Sequence, residues 1–191
     1  MAAPHVVDTS SWESWQHDYR FGVILVLPPP DVASSVDALR QAYDPKSYAI
    51  CPAHISVSDP LPRELEHDDR EQLQELLRAV AAFEVRYGTP IASTQRAGVT
   101  CPIAPQERFD ELKRVIHHAS VFGGRVYGRR EIPAHMTVAE FVTVDESLAI
   151  VADVANTPFS GSFWCDRLAH MVPDQAFRFH QRGTFLLGAH R

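Results

Sequence analysis

Apolar residues fall along this chain in short runs with two different periods. Residues 21–27 (FGVILVL) are a β-branched run closed by Pro28-Pro29-Pro30, the pattern of a buried strand. Asp31 then stands as the N-cap of a helix with Val32, Val36, Leu39 and Tyr43 on one face, ended by Asp44-Pro45. Residues 48–58 read as a strand. A polar helix over about 66–83 follows, with Leu73, Leu76, Leu77 and Val80 at i, i+3, i+4 and i+7. Strands are predicted around 83–87 and 91–95.

The second half repeats that order. Residues 98–103 read as a strand. Pro105 opens a helix carrying Phe109, Leu112, Ile116 and Ala119 on one face, stopped by Gly123-Gly124. Residues 125–142 contain the next strand. Asp145 caps a helix with Leu148, Val151, Ala152 and Ala155 inward. The tail, 159–188, reads as two or three strands, with turn signals at Asn156-Thr157-Pro158, Pro173-Asp174 and Arg182-Gly183. Residues 1–20 are polar apart from Trp12 and Trp15, and form an extension that the two tryptophans can pin to the body. No linker separates independent domains, so 21–188 is expected to be one bilobal unit.

Within the repeat, residues 52–59 read PAHISVSD and residues 133–140 read PAHMTVAE. Pro, Ala, His and Val coincide, and the other positions match in kind. Each copy follows a strand and a helix and precedes another helix, which suggests two lobes related by a pseudo-twofold. Side chains alternate along a strand. His54 and Ser56 therefore share one face, with Ile55 and Val57 on the other. His135 and Thr137 likewise oppose Met136 and Val138. If the twofold sets the strands side by side, two imidazoles and two hydroxyls meet in one cleft.

Charge and composition narrow the partners. Of 191 residues, 45% are apolar and 22% charged, with a net charge of −6. That is globular composition, and it lacks the positive surplus of a protein that tracks a long duplex. No apolar run approaches the ~20 residues of a membrane span. The first residues lack the basic-then-apolar pattern of a secretory leader. Cys51, Cys101 and Cys165 are distant and form no C-x-x-C, which argues against a disulfide framework or structural zinc. A cytoplasmic monomer is expected, with no metal or cofactor. His117-His118 on a helix diverge and are a poor ligand pair.

Two histidines that titrate near neutrality can divide general-base and general-acid duty. That suits phosphodiester cleavage, where a nucleophile loses a proton and a leaving oxygen gains one. Two hydroxyls can donate to the non-bridging oxygens as charge develops. The chain has ten His and 21 Ser plus Thr, so about one H-x-[S/T] is expected by chance, and three occur. His118-Ala119-Ser120 sits in a predicted helix and is the chance match. Arg125, Arg129 and Arg130 precede the second motif and could supply positive field, with Arg96 and Arg63 as weaker candidates. Tyr48 or Tyr127 could stack on a base. Two other readings stay open: a binding module that holds a nucleotide or phosphorylated ligand without turnover, and a metal-dependent hydrolase using the histidines as ligands.

The motifs His54-Ile55-Ser56-Val57 and His135-Met136-Thr137-Val138 resemble the paired H-x-[S/T]-hydrophobic motifs of the 2H phosphoesterase superfamily. The similarity is greatest to its 2′-5′ RNA ligase and cyclic-phosphodiesterase-like group, and it covers about residues 21–188. The resemblance implies an α+β fold of two pseudo-twofold-related lobes, each an antiparallel or mixed sheet with helices outside, around a central cleft. It implies metal-independent chemistry on cyclic or 2′-5′ phosphodiesters, with a small cyclic nucleotide or an RNA end as partner. His54 and His135 would be the acid/base pair, and Ser56 and Thr137 would bind phosphate. Arg125, Arg129 and Tyr48 are the candidate substrate contacts. Glu140 stands where many bacterial ligase-like members carry arginine.

Overall fold

The apolar run that opens the body becomes strand β1 (Val23–Val26), buried along its whole length. The computed structural model describes residues 6–93, 96–125, 127–128 and 132–189. After β1 come helices α1 (Pro30–Tyr43) and α2 (Pro45–Ile50), strand β2 (Ile55–Ser56), α3 (His67–Arg78), β3 (Phe83–Tyr87) and β4 (Ile91–Ala92). The second half runs β5 (Val99–Ala104), α4 (Gln106–His117), β6 (His135–Ala139), α5 (Val144–Val154), β7 (Gly161–Cys165), β8 (Arg167–Pro173) and β9 (Phe179–Leu186). Two 3-10 turns, Ser14–Tyr19 and Ser120–Phe122, complete the described elements.

The strands form one antiparallel sheet in the order β7-β3-β5-β6-β2-β1-β8-β9, with β4 against β5. The motif strands β2 and β6 lie side by side at its centre, paired at Ile55 and Met136. Either side of that pair is a four-stranded half, β2-β1-β8-β9 and β6-β5-β3-β7. The pseudo-twofold therefore passes between the motifs, and the two lobes share one curled α+β sheet. Its ends curl toward each other: Gly188, beyond β9, exchanges backbone hydrogen bonds with Val80 and Ala82, just before β3. A Cβ on Gly188 would sit 2.4 Å from the Arg78 carbonyl oxygen, so this approach requires glycine.

One face of the sheet carries Ile24, Val26, Ile55, Val57, Met136 and Val138. These pack on Val36 of α1, Leu73 and Leu77 of α3, and Phe109, Leu112 and Ile116 of α4. Burying each such side chain is worth about 1.5–3 kcal/mol. A slip of one residue in β2 or β6 would drive an imidazole into this core, so register is firmly set. The other face, with Val23, Leu25, Ala169 and Met171, opens on the cleft.

Several local expectations differ from the structure. Residues 48–58 hold a helix and a two-residue strand, because the Asp44 carboxylate caps Ser47 N and Pro45 presets the first turn. The N-cap of α5 is Thr143, not Asp145, in a capping box with Glu146. That phase turns Ser147, Ile150 and Val154 inward and leaves Leu148 57% exposed. Arg182-Gly183 is no turn but a bulge within β9, where His170 pairs with Gly183 and Met171 with Gln181.

Candidate active site

Each motif strand presents its histidine and hydroxyl to the cleft. Ile55, Val57, Met136 and Val138 have no exposed surface, while His54, Ser56, His135 and Thr137 are half-buried and line a single cavity of about 310 Å³. Continuing the Ile55–Met136 register by one residue either way sets His54 opposite Thr137 and Ser56 opposite His135. The two histidines are then diagonal neighbours, about 7–8 Å apart across the strand pair.

The rings are held alike. Nδ1 of His54 lies 2.7 Å from the Pro52 carbonyl oxygen, and Nδ1 of His135 lies 2.7 Å from that of Pro133. A carbonyl only accepts, so Nδ1 carries the proton and Nε2 is left with a lone pair when the ring is neutral. Burial pushes the His54 imidazole down to about 4, with the nearby Arg40 guanidinium adding to the shift. His135 is also lowered, first by burial, with Arg96 and Lys113 adding and Glu140 opposing. Both rings are thus neutral near pH 7 in the free protein.

Arg40 is a residue at this site that sequence reasoning missed. It lies on the core face of α1 with 1% of its surface exposed. Its Nη2 donates to the carbonyls of Ser47 (2.8 Å) and Cys51 (2.6 Å), its Nη1 to that of Thr137 (2.9 Å), and its Nε faces Asp37 at 3.2 Å. Asp37 in turn accepts from Ala53 N. One buried guanidinium thereby fixes the approach to the first motif and the backbone of the second. Asp44 makes a similar cross-lobe tie, accepting from Ser47 N on one oxygen and from Glu140 N and Phe141 N on the other. The signal for Arg40 was a charged residue four positions after Val36 on an otherwise apolar face.

Positive field comes from Arg96, one of the weaker candidates, and from two residues not singled out in the sequence. Arg40, Arg96 and Lys113 line the cavity. Arg125 does not: it follows Gly123 and Gly124, both at positive φ, and is exposed outside the cleft. Arg129 and Arg130 lie outside the described residues. Arg63 is engaged by Asp69 through both terminal nitrogens. Tyr48 is exposed on α2 and is not part of the cavity, because α2 turns Ser47 and Ile50 toward it instead. Tyr127 does line it, packed on His117 with Lys113 over its ring. His117 itself accepts from Asp59 N on Nε2 and donates from Nδ1 to Lys113 O, so it braces the loop after the first motif. Among the described residues no group of three His, Cys, Asp or Glu could hold a metal. The three cysteines are buried, and burial pushes each thiol up to about 12, too high for a nucleophile.

Fold and site together define a class: a bilobal α+β protein with a duplicated histidine–hydroxyl strand at the join of its lobes. The sequence model of the 2′-5′ RNA ligase superfamily matches residues 28–176. The chain belongs to that superfamily, and family and fold together support a phosphoesterase activity. The protein named "Putative phosphoesterase OB1230" of Oceanobacillus iheyensis is 20% identical over 174 residues, covering 86% of this chain and 96% of that one. LigT of E. coli, solved in complex with 3′-AMP, superposes with a TM-score of 0.57 at 15% identity over 86% of this chain and 96% of its own. TT0787 of Thermus thermophilus gives 0.57 at 13% identity over 88% and 98%.

Proposed function

We propose that the protein hydrolyses a cyclic phosphodiester, a nucleoside 2′,3′-cyclic phosphate or an RNA end of that type, without a metal ion. The observation that carries this reading is the adjacency of β2 and β6, which puts two equivalently tethered imidazoles and two hydroxyls on one face of one cleft. One Nε2 takes a proton from water as its oxygen bonds to phosphorus. The other, as imidazolium, protonates the ribose oxygen as the P–O bond breaks, giving a nucleoside monophosphate. Ser56 and Thr137 donate to the non-bridging oxygens. His54, with Arg40 behind it, stays neutral and is assigned the base role, and His135, which has Glu140 to favour its charged form, the imidazolium role. That solved LigT structures carry 3′-AMP, ATP and NADP+ supports a small nucleotide as the partner.

The test is turnover of nucleoside 2′,3′-cyclic phosphates in excess EDTA, with release of a nucleoside monophosphate expected. Tight binding with no product over hours would favour a binding module. Loss on chelation and recovery with a divalent cation would favour metal chemistry.

Proton linkage supplies a second check. Both imidazoles are neutral at pH 7, and an anion in the cleft favours their charged form. Anion binding should therefore take up a proton. Calorimetry with sulfate, whose charge is constant over the range, should show affinity rising as pH falls from 7.5 to 5.5, by up to about tenfold per unit for one proton. A flat profile would count against the paired-imidazole site.

A further inference from the structure

The cleft carries two kinds of lining: the cations Arg96 and Lys113, and a cluster of aromatic rings. Trp15 and Tyr19 come from the N-terminal turn Ser14–Tyr19, and Phe177 and Phe179 from the β8–β9 connection and the start of β9. All four lie outside the stretch that matches the family, residues 28–176. Phe141, just after β6, faces them from the other lobe.

The rings meet largely edge to face. Trp15 lies 5.2 Å from Phe177 and 6.1 Å from Tyr19, and Phe177 lies 5.3 Å from Phe179. Phe177 is the hub, held at φ 58 in a turn whose amides Ala176 N and Arg178 N bond Asp174. That left-handed conformation disfavours a side chain, so the turn holds the ring in place against a local cost. Trp12 is buried beside it and donates from Nε1 to Gln175 O, anchoring the extension. The two tryptophans thus differ. Trp12 is a peg, whereas Trp15 is 39% exposed and lines the cleft, as does Phe141 at 40%; their centroids are 6.5 Å apart. Lys46 sits 4.2 Å over the Phe141 ring, and Glu13 accepts from Trp15 Nε1.

We propose that this wall is a nucleobase subsite: Trp15 stacks on the base of a nucleoside phosphoester, with Phe141 packed beside it, while the phosphate lies at His54 and His135. The assignment rests on the proposed reaction for the position of the phosphate. The occupant follows from the cleft itself. It must join a phosphate to a flat group with a π face within one open cavity of about 310 Å³, which suits a mononucleotide.

Nucleoside 2′,3′-cyclic phosphates and glycerol 1,2-cyclic phosphate share the five-membered cyclic phosphodiester and differ in the base. In the full chain, the ratio of kcat/KM between them is expected to fall about tenfold in Trp15→Leu, which keeps apolar bulk but no ring face. Trp15→Phe should hold the ratio within about twofold. An unchanged ratio in Trp15→Leu overturns the subsite. If the parent chain turns over neither compound, the proposed reaction fails, and binding decides the subsite separately. Calorimetry should then show AMP bound about tenfold more tightly than ribose 5-phosphate, with the preference lost in Trp15→Leu. Equal affinities in the parent chain reject it.

Discussion

Alanine at His54 or at His135 is expected to slow turnover of a nucleoside 2′,3′-cyclic phosphate by about 10²–10⁴-fold while the chain stays folded. At 1.36 kcal/mol per decade, that is about 3–5 kcal/mol of barrier. Both rings are half-buried on the cleft face, each tied through Nδ1 to the carbonyl two residues upstream, so little packing is lost with either. The double variant should lose less than the product of the single losses, because acid and base act in one step. Steady-state rates at several pH values check this. The His54 ring also opposes folding in acid. Its folded value near 4 lies below the unfolded one near 6.5, so the unfolded chain binds more protons and stability declines as pH falls between them. Denaturation of His54→Gln should therefore be less acid-sensitive than that of the parent over this window. Variants at both positions that keep the parent rate would remove the basis of the proposed mechanism.

Replacing Arg40 by methionine is expected to cost about 3–5 kcal/mol of stability, out of the roughly 5–15 kcal/mol typical of a folded domain. Methionine fills similar volume, so the loss is not chiefly a cavity. It leaves the Asp37 carboxylate without its cation and the carbonyls of Ser47, Cys51 and Thr137 without their donor, at a position where the guanidinium itself is 1% exposed. Burial already holds the Asp37 carboxyl above the usual carboxylate range despite Arg40 and Ala53 N pulling it down, so its charge is poorly tolerated even when paired. Arg40→Lys should recover only part of the loss, since one ammonium cannot span acceptors on α2, β6 and the motif approach. Thermal melts should fall by on the order of 10 °C for Arg40→Met. A shift of less than about 2 °C would mean that the guanidinium is not what joins the two motifs.

The legible parts of the chain were those governed by local periodicity. β1, α1, α3, β3, β5 and α4 fall close to where apolar spacing put them, and the burial alternation in both motifs follows strand parity residue by residue. Elements failed where a side-chain hydrogen bond outweighed the pattern. Asp44 makes a helix of residues read as a strand. Thr143 and Ser147 set the phase of α5, Ser147 Oγ accepting from the buried Gly98 N. Arg125 and Tyr48 suited a phosphate and a base by residue type, but neighbourhood in sequence did not carry them into the cleft.

Sequence alone determined the paired motifs, their face and the apolar ground beneath them, because alternation along a strand is a property of the backbone and needs no partner. It also contained the sign that two halves share one plan. Only the tertiary structure decided that β2 and β6 are neighbours, that Arg40 lies behind them, and that Trp15, Phe141 and Phe177 wall one side. The decisive contacts among these join residues about 80 to more than 160 positions apart, and such encounters are set by how sheet and helices pack, which no local period encodes.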